Sequence, residues 1–151
     1  MNLSEVRPEA AEVFVQSGWL RASQRTLAQT GSTALWPEQT HLESEVAKLT
    51  PGEWVQARVG IAPFAHVFRA GSRVRVSIDT PGDSRADWRF RLATFQGTAR
   101  YQIGHDAGHR SSLALPVVTG LHAPISAPGC NALRGQQCRA YVPYTNEAGT
   151  P

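Results

Sequence analysis

The residue types best suited to chemistry lie in the stretch "GHDAGH" (104–109). His105 and His109 flank Asp106 at an i, i+4 spacing, which on a helix would put both imidazoles on one face, as in zinc proteases. The two glycines of the stretch disfavour a helix, however, and the glutamate that serves as the base in those enzymes is absent. We therefore predict a loop whose histidines hydrogen-bond neighbouring backbone, and not a metal site.

No serine lies in the setting that a hydrolase nucleophile needs. The G-x-S-x-G pattern of a strand-to-helix nucleophile does not occur, and Ser32 and Ser72 each follow a glycine in a predicted turn. His66 alternates with apolar residues, which is typical of a half-buried side chain with hydrogen-bond partners. Aspartates near residues 79–87 match no defined calcium loop. We expect no catalytic residue, no metal and no cofactor.

The two cysteines, Cys130 and Cys138, are the only candidates for a covalent cross-link. A zinc site needs about four ligands, and no second Cys/His pair lies nearby. A local disulfide is favoured over two free thiols, and it would indicate an oxidising compartment. Because the N-terminus "MNLSEVRPEA" has no signal-peptide pattern, the localisation stays open, and the cysteine pair suggests an exported parent protein.

The charge pattern argues against nucleic acid and membrane partners. The formal net charge is +3, and the 15 basic residues are all arginines except Lys48. No Lys/Arg-rich run is present to bind phosphates. No apolar stretch approaches the roughly 20 residues of a membrane span. We therefore predict a soluble chain that binds neither nucleic acid nor membrane.

Period-two alternation of apolar and polar residues predicts short strands over most of the chain. The segments are 2–6 and 12–17 (paired as a hairpin), 54–61, 64–68, 73–79, 88–95, 98–103 and 111–118. In the clearest, 73–79, Val74, Val76 and Ile78 are expected inward, with Arg73 and Arg75 outward. Only 41–49 is expected to form a helical turn.

Many short strands with almost no helix predict an all-β fold, a β-sandwich of jelly-roll type. The predicted domain covers 1–118. Residues 119–151 are rich in Pro, Gly and polar residues, and we expect an irregular tail, held by the possible disulfide or partly loose.

Four stretches together resemble a known family. "GWLRASQR" (18–25), "HLE…LTPGE" (41–53), "HVFRAGSRVRVSI" (66–78) and "SSLALPVV" (111–118) resemble the C-terminal domain of the X-Pro dipeptidyl-peptidase and cocaine esterase family of serine hydrolases. The resemblance runs from about Leu3 to Val118. The combination of the first and third stretches is specific, whereas either alone is weak.

The resemblance implies a galactose-binding-like jelly roll without catalytic residues. In that family the Ser-Asp-His triad belongs to an α/β-hydrolase domain, so no position here inherits it. The jelly roll braces the hydrolase domain, borders the substrate site and often contributes to dimer contacts. The interface candidates in the motif "GWLRASQR" are Trp19, Arg21 and Arg25. Those on the neighbouring strand are Arg73 and Arg75. Arginine beside tryptophan can form cation–π or carboxylate pairs.

The chain also departs from the family pattern. Many relatives have histidine where Gln24 and Ser72 stand here, and the family's jelly roll begins several strands before the segment that matches Leu3. We therefore expect a sandwich that lacks its first strands and pairs with a hydrolase domain, in cis as in relatives or in trans, or with a second copy. The alternative is a free-standing carbohydrate- or ligand-binding module that uses Trp36 and Trp54. An enzyme in its own right is the least favoured hypothesis.

Overall fold

The computed structural model describes residues 1–79 and 100–145. Within these ranges the chain forms four strands and two short 3-10 turns, and no α-helix. The strands are β1 (Asn2–Val6), β2 (Ala11–Ser17), β3 (Arg73–Ser77) and β4 (Cys138–Ala140), and the 3-10 turns are Ala22–Gln24 and Glu43–Glu45. The all-β prediction is confirmed, whereas the jelly-roll arrangement stays a prediction.

The four strands make one antiparallel sheet in the order β3-β1-β2-β4. The predicted hairpin of β1 and β2 is present, with Glu5 opposite Val13 and Val6 opposite Glu12. A bulge between Leu3 and Ser4 shifts the register near the open end of the hairpin. This hairpin is the centre of the sheet, since β3 adds to β1 and β4 adds to β2.

The hairpin turn closes without a glycine. The Arg7 amide donates to the Ala11 carbonyl (2.8 Å) and the Ala10 amide donates to the Arg7 carbonyl (3.0 Å). Ala10 adopts a φ of 61°, a left-handed conformation that costs an L-residue about 1–2 kcal/mol. The turn thus forms without the Asn-Gly or Asp-Gly pair that usually supplies a positive φ in a hairpin.

Each face of the sheet buries one glutamate beside apolar residues. Leu3 and Val13 are 1% and 2% exposed and share a face with Glu5. Val6 shares the opposite face with Glu12. The alternation that predicted the strands therefore does not separate an apolar face from a polar one, because both faces of β1 and β2 are covered.

Several predicted strands do not form. Residues 54–60, 64–68, 100–103 and 111–118 carry no strand, and Ile61 makes only an isolated bridge to Gly18. The predicted strand 88–95 lies outside the described residues. Alternation produces a strand only where a neighbouring strand takes up the backbone hydrogen bonds. Residues 54–60 are instead held by loop contacts, such as the one from the Gln39 side chain to the Arg58 carbonyl (2.8 Å).

The predicted inward face of β3 is also wrong. Val74, Val76 and Ile78 are 46%, 40% and 45% exposed, while Arg75 is partly buried. The reason is that the Arg75 guanidinium reaches a buried carboxylate on the same face of the sheet. That ion pair draws the arginine against the sheet.

The structure joins Cys130 to Cys138 in a disulfide with a Cα–Cα distance of 5.4 Å. Residues 119–137 and 141–145 form no helix or strand, and β4 begins at Cys138. No sequence signal indicated this strand. A disulfide is compatible with an exported protein.

The chain divides into two compact units. One contains the sheet and comprises Met1–Gly18, Ile61–Asp79 and the segment from Gly120 onward. Of the other unit, the structure describes residues 19–60 and 100–119, which contain the two 3-10 turns.

The strained turn gives a direct test of the hairpin. We expect Ala10→Gly to raise the free energy of unfolding by about 0.5–1 kcal/mol, because glycine adopts positive φ without steric cost. Urea unfolding measures the change. The control is Glu9→Gly, which only adds flexibility to the unfolded chain and should destabilise. A destabilised Ala10→Gly variant would contradict the turn geometry.

Candidate interaction site

Glu12 is the centre of a cluster of arginines on one face of the sheet. Its side chain on β2 is 2% exposed, and its Oε2 lies 2.9 Å from Arg75 Nη1 on β3. From β4, Arg139 Nη2 lies 3.2 Å from Glu12 Oε1. A buried carboxylate needs such partners, because desolvation of an unpaired charge costs several kcal/mol.

A tyrosine ring extends this cluster. The guanidinium carbons of Arg73 and Arg75 each lie 5.2 Å from the ring centroid of Tyr141, within the range of a cation–π interaction. Arg75 also donates to the Val142 carbonyl (2.7 Å). We name Arg73, Arg75, Arg139 and Tyr141 the arginine face. It combines three guanidinium groups with one buried carboxylate, Glu12.

Glu5 has a separate set of partners on the other face of the sheet. Ser72 Oγ donates to Glu5 Oε1 (2.6 Å), and His66 Nε2 lies 3.0 Å from Glu5 Oε2. Arg7 Nε lies 3.6 Å from the same oxygen, and Arg7 Nη1 donates to the Pro128 carbonyl (2.6 Å). His66 is therefore half-buried and partnered, as the sequence predicted.

These residues do not form a catalytic triad, although their types invite the comparison. In a triad the histidine stands between serine and carboxylate and takes the serine proton. Here Ser72 and His66 both contact the carboxylate of Glu5, and no hydrogen bond joins Ser72 to His66. Ser72 and His66 are thus hydrogen-bond partners of the buried Glu5 carboxylate.

Burial raises the pKa of Glu5, but hydrogen bonds from Ser72 and His66 outweigh it. The charges of His66 and Arg7 act in the same direction as those hydrogen bonds, so the pKa of Glu5 lies below its ordinary value of 4.5. Glu5 is therefore ionised at neutral pH, and its ionised form stabilises the folded sheet.

The motif "GWLRASQR" forms a compact turn that ties two segments together. Arg25 Nη1 donates to the carbonyls of Ala22 (3.2 Å) and Ala47 (2.5 Å). The Ala47 amide in turn donates to the Ser23 carbonyl (2.9 Å). Trp19 is partly buried, whereas Arg21 is exposed. Arg25 thus stabilises the turn that contains it and links this turn to Ala47.

Arg21 and Arg73 are the interface candidates with uncommitted charges. Among the described residues, neither side chain makes a hydrogen bond or an ion pair, although Arg73 lies over Tyr141. Arg25 and Arg75 each bind groups within the chain. The sequence named all four arginines as interface candidates. Only the contacts in the structure show which of them bind groups within the chain.

The stretch 104–109 is a loop, and Asp106 accepts hydrogen bonds from the backbone of this loop. Asp106 Oδ1 receives the amides of Gly108 and His109 (both 2.7 Å) and lies 3.2 Å from His109 Nδ1. The His109 amide, followed by its ring and the Gly108 amide, lowers the pKa of Asp106. In 1–79 and 100–145 no three His, Cys, Asp or Glu side chains are arranged to hold a metal ion.

Two tryptophans in the described part of the chain are exposed, and both lie in loops. Trp36 is 47% exposed and Trp54 is 49% exposed. The ring of Trp54 stacks on the ring of His109, with centroids 4.1 Å apart. None of the helical segments in the described part of the chain has the length and apolar character that a membrane-spanning helix requires.

The serine and histidine groups described above contact a buried glutamate of this antiparallel sheet. Residues 1–110 match the family model of the X-Pro dipeptidyl-peptidase C-terminal non-catalytic domain. The chain belongs to this family. Such a domain suggests a catalytic domain in cis in the peptidases that carry it. Neither the curated proteins nor the solved structures contain a match to the chain.

The lowered pKa of Glu5 gives a pH-dependent prediction. Its stabilisation is fully present above the unfolded pKa of about 4.5 and is lost as the pH falls through the lowered folded value. We expect Glu5→Gln to lower the free energy of unfolding at pH 7 by about 2–4 kcal/mol. The variant should also lose less further stability below pH 4.5.

Denaturant unfolding between pH 7 and pH 3 measures both effects. The matched control is Glu9→Gln, because Glu9 is an exposed carboxylate in the hairpin turn. Equal stability losses in the two variants would show that the Glu5 carboxylate is not paired as described.

Proposed function

We propose that this chain braces an α/β-hydrolase catalytic domain of the X-Pro dipeptidyl-peptidase family and borders its substrate site. The observation that carries the proposal is the family match over residues 1–110 to a non-catalytic domain. The contacts of Ser72 and His66 support it, because both side chains are engaged by Glu5 and unavailable for catalysis.

The interface proposal rests on two guanidinium groups, those of Arg21 and Arg73, that pair with no carboxylate among the described residues. Arg21 lies on the exposed turn of the motif and Arg73 on an edge strand of the described sheet. A guanidinium without an internal carboxylate can form a bidentate pair with a carboxylate of a partner. Arg25 and Arg75 then act as positioning residues, and Trp19 supports the turn beside Arg21.

The partner can lie in the same polypeptide or in another one. The family match favours a catalytic domain in cis, and we extend the proposal to association in trans. A homodimer is the further proposal. It is supported by the apolar area of Val74 and Val76, which are 46% and 40% exposed on the face of β3 opposite to Arg73.

The alternative of a free-standing carbohydrate-binding module stays a prediction. Trp54 offers a half-exposed ring, but His109 stacks on that ring. The contacts of Trp36 in the described part of the chain do not bring several polar groups together around its ring, as a sugar site would require. The accessory-domain proposal is therefore better supported.

The test measures binding of the full chain to a family catalytic domain expressed without its own C-terminal domain. We expect saturable binding by biolayer interferometry and no hydrolysis of an Ala-Pro chromogenic substrate by the chain alone. The double variant Arg21→Glu/Arg73→Glu should weaken binding about tenfold or more, because each reversed charge repels a carboxylate.

Lys48→Glu/Arg134→Glu is the matched control, since both residues are exposed and the double variant makes the same total charge change. It should leave the affinity within about twofold. Equal weakening by the control would remove the assigned role of the two arginines. Turnover by the isolated chain above a heat-killed sample would contradict the non-catalytic assignment itself.

A further inference from the structure

The C-terminal segment adds a strand to the sheet although it lies beyond the family match. The match ends at residue 110, and β4 pairs with the outer edge of β2, with Arg139 opposite Glu12 and Cys138 opposite Val13. The backbone contact continues on both sides of β4. The Phe14 amide donates to the Gln137 carbonyl and the Tyr141 amide donates to the Ala10 carbonyl, both at 2.8 Å.

Side chains of the sheet recognise this added strand. Arg139 pairs with the buried carboxylate of Glu12, although its own side chain is 65% exposed. The ring of Tyr141 contacts the guanidinium groups of Arg73 and Arg75. Backbone pairing at a sheet edge, combined with alternate side chains in specific sites, is the recognition mode of strand addition.

The disulfide lies at the start of the added strand. Cys138 is the first residue of β4 and is bonded to Cys130. The loop between them contains two turns, and Asn131 Oδ1 accepts the Cys138 amide (3.1 Å). A strand of three residues forms few backbone bonds, so it depends on restraint of the preceding chain.

The anchors of the segment before Cys130 are independent of the disulfide. Arg7 donates to the Pro128 carbonyl (2.6 Å), and Arg69 donates to the Ile125 carbonyl (2.8 Å). Loss of the disulfide leaves these two contacts in place. Any release of the chain therefore starts after Pro128 and extends to β4.

We propose that the outer edge of β2 is a strand-addition site, that residues 137–141 occupy it, and that the Cys130–Cys138 disulfide latches them there. Reduction releases β4 and exposes the β2 edge, while β3, β1 and β2 stay paired. A dithiol supplies the two electrons and two protons. The sulfur–sulfur bond becomes two cysteine thiols, and the dithiol becomes its cyclic disulfide.

Amide hydrogen exchange of the full chain, measured by mass spectrometry with and without dithiothreitol, tests this proposal. A thiol titration establishes complete reduction. We expect exchange in 137–141 and at the Phe14 amide, which donates to Gln137, to accelerate roughly tenfold to a hundredfold, because the opened loop gains conformational entropy. Exchange in β1 and β3 should stay within about twofold.

The variant Cys130→Ala/Cys138→Ala should show the released pattern without dithiothreitol and should not respond to it. Arg139→Ala with the disulfide intact is the matched control, and it should accelerate exchange of β4 by less than about threefold because the latch remains. Unchanged exchange in 137–141 after complete reduction would overturn the proposal. Acceleration of all four strands together would also overturn it.

Discussion

Two buried carboxylates, Glu5 and Glu12, are the constraint on which the rest of the sheet depends. They lie on opposite faces of one hairpin and are 1% and 2% exposed. A carboxylate in such surroundings destabilises the fold unless cations and hydrogen-bond donors surround it. Within the hairpin only Arg7 lies near either carboxylate, with its Nε 3.6 Å from Glu5 Oε2. Glu5 binds residues 61 and 67 positions away, and Glu12 binds residues 63 and 127 positions away.

This arrangement explains why distant segments fold onto the hairpin. The segment Ile61–Asp79 brings His66, Ser72 and Arg75, and the C-terminal segment brings Arg139. His66 and Ser72, whose residue types could serve in catalysis, thereby stabilise the sheet through their contacts with Glu5. The bracing role that we propose uses arginines that pair with no carboxylate among the described residues.

The sequence predicted the local features better than the long-range ones. Alternation identified β1, β2 and β3, the spacing of Cys130 and Cys138 favoured a disulfide, and the four motifs identified the family. Alternation failed at 54–60, where no strand among the described residues accepts the backbone hydrogen bonds. Alternation also predicted the wrong buried face of β3. Arg75 is partly buried because it forms an ion pair with Glu12, a residue far from it in sequence. Nothing in the composition of 119–151 indicated β4, because that strand depends on the edge that β2 offers.

A double-mutant cycle between Glu12 and Arg75 tests the central claim most directly. The variants are Glu12→Gln, Arg75→Gln and the double variant, with the free energy of unfolding measured for each by urea denaturation. If Glu12 is a buried charge that holds β3 against the hairpin, the coupling free energy should be about 1.5–3 kcal/mol. A coupling below about 0.5 kcal/mol, as for an exposed ion pair, would contradict the account.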